Sequence, residues 1–203
     1  MRNDVTGIIL AGGKSARMGK NKALLEIKGE KLVERTHNLL RTIFPRVIII
    51  TNTPEEYTFL KIPVFRDFFE YRGPLAGIHS GLIHSETELN FVISVDMPLI
   101  TESIINYIAD FPTEKPITVC KADGYIQQLA GKYSKSLIPL AEKLLTSSNE
   151  ENSSQKCNVS SLLEISGAEI IEAESLDFYR KGMFYNMNRP EDYKFMLSYL
   201  EKS

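Results

Sequence analysis

Short apolar runs alternate with amphipathic segments along the first half of the chain. Residues 5–10 (VTGIIL), 46–51 (RVIIIT) and 90–95 (NFVISV) are almost entirely apolar, as expected of strands that are buried on both faces of a parallel sheet. Between them, helical spacing of apolar residues predicts helices from Lys31 onward, over 75–85 and around 103–109, and a weaker strand is predicted at 62–66. This alternation predicts βαβ units and a mostly parallel sheet.

The pattern changes after Phe111-Pro112. Two strand-like runs, 116–121 and 125–133, are joined by a segment containing Asp123-Gly124, a hairpin turn signal, so this part is predicted to be antiparallel. Helices are predicted over 137–145, 160–165 and 190–200, and the polar run 147–155 predicts a loop. We expect a single α/β domain over residues 1–203, three-layered (α/β/α) and Rossmann-like, with ligands at the carboxyl ends of the parallel strands.

Composition and charge narrow the possible functions. The 203 residues carry 24 Lys and Arg against 26 Asp and Glu, a net charge of -2, so no broad basic surface is expected for nucleic acid or an anionic membrane. No stretch approaches the roughly 20 apolar residues of a membrane span, and the start does not resemble a signal peptide, which predicts a cytoplasmic protein. Cys120 and Cys157 have no metal-site or disulfide spacing and are interpreted as ordinary thiols.

The segment after the first strand combines glycines with cations. It begins Leu10-Ala11-Gly12-Gly13, and residues 14–22 then place four cations (Lys14, Arg17, Lys20 and Lys22) within nine positions. Glycine lets backbone N–H groups approach a phosphate closely, and cations neutralise its charge, so this composition suits a di- or triphosphate. A solvated basic turn is the alternative. The Walker pattern does not fit, because Lys14 and Asn21 stand where it requires glycine and Ser or Thr.

Two carboxylates follow predicted strands. Asp96 comes directly after the run 90–95, at the edge of the sheet where a carboxylate can hold Mg²⁺ against phosphate oxygens. The alternative is a helix-capping or turn residue ahead of Pro98. Asp67 has a similar place after the run 62–66, with weaker support.

Two further segments are candidates for ligand contact. Gly73, Pro74, Leu75, Ala76 and Gly77 open a predicted helix and could line a base or ribose pocket with their backbone groups. Asn186 and Asn188 precede the last predicted helix. Asn188 is as well explained by a simple helix N-cap.

The three histidines, His37, His79 and His84, have no Ser or Cys nucleophile at motif spacing. They are interpreted as structural, and acyl transfer has no support.

With these segments in view, the chain resembles the molybdenum cofactor guanylyltransferases, MobA-like enzymes among the glycosyltransferase-A-like nucleotidyltransferases. Residues 10–22 resemble the pattern LAGG-x-S-x-RMG-x-DKAL, 72–82 resemble GPLAGI-x-SGL, 94–99 resemble the CDMP segment, and 186–192 resemble N-x-NTPED. The matches occur in order over nearly the whole chain. Four positions depart from the pattern: Asn21 replaces Asp, Val95 replaces Cys, Arg189 replaces Thr, and Gln128 stands where Pro is frequent.

The resemblance implies a nucleotide-diphospho-sugar-transferase-like fold and assigns roles to particular residues. Residues 1–110 would bind the nucleotide and 111–203 the acceptor. The first loop would bind GTP through Leu10, Ala11, Gly12, Gly13, Arg17 and Lys22. Asp96 would bind Mg²⁺, and Asp67 matches a nucleotide-contacting acidic position. Lys22 and Arg17 would neutralise triphosphate charge, the backbones of Gly12-Gly13 and 73–77 would contact the base, and Asn186 and Asn188 would lie on the pterin side.

The implied reaction is magnesium-dependent transfer of GMP from GTP to the terminal phosphate of molybdopterin, with release of pyrophosphate. Two alternatives stay open from the sequence. The first is a related enzyme that uses CTP or a sugar 1-phosphate, against which the double glycine Gly12-Gly13 argues. The second is a nucleotide-binding regulator without activity, which would leave Arg17, Lys22 and Asp96 without a role.

Overall fold

The computed structural model describes residues 3–12, 21–147 and 158–201. The glycine and cation segment from 13 to 20, most of the predicted loop 147–155, and Cys157 lie outside the described residues. The described strands are β1 (Val5–Leu10), β2 (Glu26–Ile27), β3 (Glu30–Lys31), β4 (Arg46–Ile50), β5 (Val64–Phe65), β6 (Leu89–Ser94), β7 (Ile117–Ala122), β8 (Tyr125–Ser134) and β9 (Glu169–Glu172). The described α-helices are α1 (Leu32–Ile43), α2 (Pro74–His84), α3 (Glu102–Asp110), α4 (Ile138–Ser147), α5 (Val159–Ser166) and α6 (Pro190–Glu201).

Within these residues the main sheet has seven strands in the order β5-β4-β1-β6-β8-β7-β9. The first four of these are mutually parallel, β8 is antiparallel to both β6 and β7, and β9 pairs with β7 in parallel. The predicted mostly parallel α/β sheet with an antiparallel C-terminal part is therefore confirmed. The predicted hairpin at Asp123-Gly124 is also confirmed, because both residues adopt left-handed backbone angles between β7 and β8.

The register of the parallel strands brings their carboxyl ends together. Leu10, the last residue of β1, pairs with Ile50 of β4 on one side and with Ser94 of β6 on the other. The pairing continues one residue further on each side, since Ala11 N–H donates to the Ile50 carbonyl and Val95 N–H donates to the Leu10 carbonyl. The segments that leave β1, β4 and β6 consequently start from one edge of the sheet.

Alternating side chains of the buried strands enter two separate cores, as a three-layer fold requires. On one face, Ile9 of β1 packs in a cluster with residues of α1 and α3. On the other face, Ile8 and Leu10 pack with residues of α2, α4 and α5. The strands are buried on both faces, which explains why their sequences are apolar almost without interruption.

Two glycines let α2 lie unusually close to β1. A Cβ atom at Gly81 would stand 2.7 Å from Ile8 Cγ2, and one at Gly77 would stand 3.1 Å from Leu10 Cδ2. Larger residues would push the helix off the strand. These two glycines therefore position the first turn of α2 beside the end of β1.

Several of the described elements were not predicted. These are the short β2–β3 hairpin, the edge strand β9, and the 3-10 helices Lys22–Leu24, Pro54–Leu60, Lys135–Leu137 and Ala173–Ser175. The strand predicted at 62–66 is confirmed but reduced to Val64–Phe65. No helix among the described residues has the length and apolar character needed to cross a membrane.

Candidate active site

A cavity of about 440 Å³ lies at the carboxyl ends of β1, β4 and β6. Eight of its lining residues were predicted from the sequence as site residues: Leu10, Gly12, Asp67, Gly73, Pro74, Gly77, Asp96 and Asn188. Five others were not predicted: Ile50, Asn52, Tyr71, Ser94 and Leu129. The cavity lies where a parallel α/β sheet places its ligands.

The glycines leave backbone accessible at the cavity wall. Gly12 is exposed, and a Cβ atom there would have only the Thr51 Cα atom, at 3.9 Å, within contact range. Gly73 precedes α2 with φ +76°, a conformation that glycine adopts without strain, and Pro74 occupies the first turn of the helix. Of the first residues of this helix, Pro74 has no N–H group, and the Ala76 N–H donates to the Gly73 carbonyl at 3.1 Å.

Some predicted contact residues do not line the cavity. Leu75 and Ala76 are completely buried in the first turn of α2. Ala11 is also buried, and its carbonyl accepts hydrogen bonds from the Thr51 and Tyr57 hydroxyls at 3.2 and 3.0 Å. These residues support the cavity from behind. Gly13 and Arg17 lie outside the described residues.

Lys22, Asp96 and Asn188 meet in a cluster at the cavity, which we call the ammonium–carboxylate cluster. The Lys22 Nζ atom lies 2.8 Å from Asp96 Oδ2 and 3.1 Å from Asn188 Oδ1. Asp96 Oδ1 is buried and has no hydrogen-bond partner among the described residues. The cluster joins three segments that are distant in the sequence, and the Lys22 and Asp96 side chains are only 17% and 14% exposed.

The surrounding backbone fixes each member of this cluster. Lys22 begins the 3-10 turn Lys22–Leu24, which is capped by Asn21 through its side-chain oxygen and the Ala23 N–H at 3.1 Å. The Asp96 carbonyl accepts from the Met187 N–H at 3.0 Å, which ties the end of β6 to the segment before α6.

On that segment, both Asp192 carboxylate oxygens are used. One accepts from the Asn188 and Arg189 N–H groups at 2.8 Å, and the other accepts from the Tyr185 hydroxyl at 2.7 Å. Asn188 thus directs its side chain to Lys22 and does not act as a simple cap of α6. Asn188 lines the first cavity, and the pterin-side role predicted for it stays a prediction.

Tyr57 is a positioning residue that the sequence did not reveal. Its buried hydroxyl donates to the Ala11 carbonyl at 3.0 Å and accepts from Asn21 Nδ2 at 2.9 Å. It therefore links the two described ends of the glycine and cation segment. The Asn21 amide donates to this hydroxyl through a nitrogen, which an aspartate at this position would not have.

Asp67 and Asn52 form a polar pair on the opposite wall of the same cavity. Asn52 Nδ2 donates to Asp67 Oδ2 at 3.0 Å, while Asn52 Oδ1 and Asp67 Oδ1 are buried without a hydrogen-bond partner in the described part of the chain. Burial raises the pKa of the Asp67 carboxyl, and the charge of Glu70 acts in the same direction, while the bond from Asn52 opposes it. Asn52 was missed, although its position two residues after β4 at the ligand edge could have indicated it.

A second cavity, also of about 440 Å³, adjoins the first, and both are lined by Pro74 and Leu129. In the described part of the chain, its polar lining consists of uncharged side chains: Gln127, Gln128, Asn158, Ser160 and Asn186. Gln128 and Ser160 are paired, with Gln128 Nε2 at 3.0 Å from Ser160 Oγ. The two predicted asparagines are thus separated, Asn188 facing the first cavity and Asn186 the second.

The histidines and Cys120 are not among the described residues that line either cavity. His79 is buried with its ring edge-on to Phe69 at 5.3 Å between centroids, and the His84 ring stacks on Phe65 at 3.9 Å. Cys120 is a buried free thiol in β7. Their packing is consistent with structural roles.

The sequence profile of the MobA-like NTP transferase domain family matches residues 7–159. The chain belongs to this family. The predicted resemblance is therefore confirmed, and the match includes every described residue that lines the first cavity except Asn188.

Similar sequences extend over most of the chain. A protein of Carboxydothermus hydrogenoformans named "Probable molybdenum cofactor guanylyltransferase" is 36% identical over 96% of this chain and 95% of its own length. A Clostridium perfringens (strain 13 / Type A) protein of the same name is 34% identical over 92% of both chains.

Two solved structures of similar proteins share this fold. A protein from Aquifex aeolicus VF5 has a TM-score of 0.73 at 32% identity, covering 90% of this chain and 92% of its own. Molybdopterin-guanine dinucleotide biosynthesis protein A from Archaeoglobus fulgidus has a TM-score of 0.82 at 20% identity, covering 98% of this chain and all of its own, and this match shows the fold alone.

Proposed function

We propose that this protein is a molybdenum cofactor guanylyltransferase, which transfers GMP from GTP to the terminal phosphate of molybdopterin and releases pyrophosphate. The proposal is supported by the relatives of that name and by one structural observation. Two cavities of similar volume share a wall, and among the described residues the polar lining of the first includes ionisable side chains, whereas that of the second consists of neutral amides and a hydroxyl. This arrangement suits a reaction between a nucleoside triphosphate and a neutral heterocycle that carries a phosphate.

In the first cavity, the exposed backbone at Gly12 and the first turn of α2 from Gly73 to Gly77 would contact the guanine base and the adjacent phosphates. Asn52 and Asp67 present two buried oxygens without partners among the described residues. Such acceptors can take N–H or O–H groups from a base or a ribose, and an unpaired buried acceptor is costly until it does. We assign the Asn52–Asp67 pair to nucleotide recognition.

Asp96 is the residue suited to hold Mg²⁺. Its buried Oδ1 atom lacks a protein partner in the described residues, and magnesium is commonly held by one or two carboxylates together with substrate phosphates and water. The amide oxygen of Asn188, on the same ammonium–carboxylate cluster, is a second suitable ligand. When bound, the ion would withdraw negative charge from the phosphates during transfer.

The chemistry of transfer demands alignment more than proton removal. An oxygen of the acceptor phosphate forms a new bond to the α-phosphorus of GTP. The bond between the α-phosphorus and the oxygen that bridges it to the β-phosphorus breaks, and pyrophosphate leaves. The acceptor phosphate is ionised near neutral pH, so a general base is not needed, and Lys22 can neutralise charge on the departing phosphates. Arg17, predicted for the same role, lies outside the described residues.

In the second cavity, Gln127, Gln128, Asn158, Ser160 and Asn186 would recognise the pterin. Amide side chains both donate and accept, which matches the mixed donors and acceptors of a pterin ring. The residues beyond 110 would then form the acceptor side of the single domain.

Product identification tests the proposal. The protein, GTP, Mg²⁺ and molybdopterin should yield the molybdopterin guanine dinucleotide by mass spectrometry, and GTP with Mg²⁺ should raise the Tm more than ATP, CTP or UTP does. If the protein instead forms a cytosine dinucleotide from CTP, its nucleotide substrate is CTP and not GTP. Equal Tm shifts with all four nucleotides would contradict the assigned base recognition.

A further inference from the structure

The Lys22 ammonium is bound to the carboxylate that we assign to the metal. Its Nζ atom lies 2.8 Å from Asp96 Oδ2, within the range of a charge-assisted hydrogen bond, and 3.1 Å from Asn188 Oδ1. A residue whose role is to neutralise triphosphate charge is therefore held by the two side chains best placed to ligate a divalent cation.

This contact is built from several independent constraints. The Asn21 cap fixes the turn at Lys22, the Met187 N–H fixes the Asp96 backbone, and Asp192 fixes the backbone of Asn188. Because each partner is anchored separately, the contact does not depend on one mobile surface side chain. The Lys22 and Asp96 side chains are also mostly shielded from water, which strengthens the attraction between their charges.

A divalent ion and the ammonium oppose each other at this carboxylate. Magnesium binds oxygen at roughly 2.1 Å, so an ion on Asp96 would lie close to the positive Nζ atom and would repel it. Lysine has a flexible stem of four carbons and can move its charge to another acceptor without moving the backbone. The phosphates of a nucleotide in the adjacent cavity would offer such an acceptor.

We propose that the Lys22 ammonium competes with the metal ion for the Asp96 carboxylate. The phosphates of the nucleotide would draw the ammonium away from Asp96, so that metal and nucleotide bind cooperatively. The inference rests on the proposed function for the identity of both ligands. It predicts weak binding of the metal alone, and it predicts that metal and nucleotide strengthen each other's binding by the same factor, as linkage requires.

Mn²⁺ affinity, measured by electron paramagnetic resonance on the full chain, tests this inference. Without nucleotide, Lys22→Met should bind Mn²⁺ about 10-fold more tightly than wild type, because the competing ammonium is gone. A matched control is Lys121→Met, which removes a lysine paired with Glu172 at 3.2 Å on the surface of β7 and β9 and should bind Mn²⁺ as wild type does. Measurements at about 0.2 M salt screen long-range charge effects, since the Debye length is then below roughly 8 Å.

Adding GTP gives a second readout. After correction for Mn²⁺ bound by GTP in solution, GTP should tighten Mn²⁺ binding by a larger factor in wild type than in Lys22→Met. If Lys22→Met does not fold, as judged by its melting curve, Lys22→Gln carries the same test.

The opposing outcomes are distinct. Unchanged or weaker Mn²⁺ binding by a folded Lys22 variant without nucleotide overturns the inference. Mn²⁺ binding that Asp96→Asn leaves intact also overturns it, since the metal would then lie elsewhere. Tighter Mn²⁺ binding by Lys22→Met supports the inference even if no guanylyl transfer is found. The inference and the proposed function can therefore fail independently of each other.

Discussion

The two cavities of the site differ in charge although they share a wall. The first has Asp67 and Asp96 among its lining residues, with Lys22 held against Asp96, whereas the described residues that line the second are uncharged polar or apolar. The first lies where parallel strands end, and the second lies beside the start of β8 and of α5. In the proposed reaction, the parallel half of the sheet would supply charged side chains for the triphosphate, and the antiparallel half would supply neutral hydrogen-bonding side chains for the pterin.

This division explains how two unlike substrates can react without mixing their sites. Charged residues beside a pterin would each need a partner when desolvated, and neutral amides beside a triphosphate would leave its charge uncompensated. Keeping the two kinds of side chain apart avoids both costs. The boundary between them, near Pro74 and Leu129, is where we expect the acceptor phosphate to meet the nucleotide.

The largest effect on turnover is expected from a substitution of Asp96 in the first cavity. Asp96→Asn keeps the shape of the side chain and removes its charge, so turnover should fall by at least about 100-fold, the scale of a lost electrostatic contact in the transition state. Steady-state turnover of a variant with an unchanged melting curve measures this. Near-normal activity would return Asp96 to a turn residue ahead of Pro98.

The next effect distinguishes two lysines that both form ion pairs. Lys22→Ala should lower kcat/KM for GTP by roughly 30- to 150-fold, or about 2–3 kcal/mol, on the scale of a lost charge-assisted bond. Lys121→Ala removes the exposed pair with Glu172 and should cost less than about 1 kcal/mol. Comparable losses in the two variants would show that Lys22 has no special place in the site.

A crossed pair of substitutions tests the division itself. Asn52→Ala should raise KM for GTP by about 5- to 10-fold and leave KM for molybdopterin unchanged, because one neutral hydrogen bond contributes about 1 kcal/mol. Gln128→Ala should do the reverse. If either variant raises both KM values equally, the two cavities do not act as separate recognition sites.

The smallest effect concerns the stability cost of the buried carboxyl. Burial, assisted by Glu70, raises the pKa of Asp67, so its favourable contribution to folding is complete below the ordinary value of 3.8 and is lost as pH rises through the folded-state pKa. Asp67→Asn should therefore raise the Tm at pH 7 by about 2 °C, the shift expected for somewhat under 1 kcal/mol in a chain of this size.

The pH series provides the control for this substitution. The gain should shrink as pH falls toward 4, and calorimetry at several pH values would reveal it. If Asp67→Asn raises the Tm equally at pH 4 and pH 8, burial of the charged carboxylate does not lower the stability. If Asp67→Asn lowers the Tm at pH 7, the Asp67 carboxylate stabilises the fold.

Much of the fold could be predicted because strands buried on two faces have nearly continuous apolar sequences. β1, β4 and β6 follow this rule, and the hairpin between β7 and β8 follows from Asp123-Gly124. β9 could not be predicted, because its sequence EIIE has charged ends and it pairs with only one strand, at the edge of the sheet. The β2–β3 hairpin has two residues a strand, too few for any periodicity.

Some residues of the site could likewise be predicted from the sequence, and others could not. Glycines and charges next to predicted strands indicated Gly12, Lys22, Asp67, Gly73 and Asp96. Asn52 and Tyr57 were not predicted because no sequence spacing distinguishes a single asparagine or a single tyrosine as a site residue. Only the folded chain places Asn52 beside Asp67 and Tyr57 beside Ala11. Leu75 and Ala76, predicted to contact the base through their backbones, are buried and do not line the first cavity, and that backbone contact stays a prediction.

The decisive experiment measures pyrophosphate release with each of the four nucleoside triphosphates, with and without molybdopterin. Rapid release is expected only with GTP, only when molybdopterin and Mg²⁺ are present, and not in Asp96→Asn. Release that is equally fast without molybdopterin, or fastest with another nucleotide, would contradict the claim that the two cavities together catalyse guanylyl transfer to the pterin.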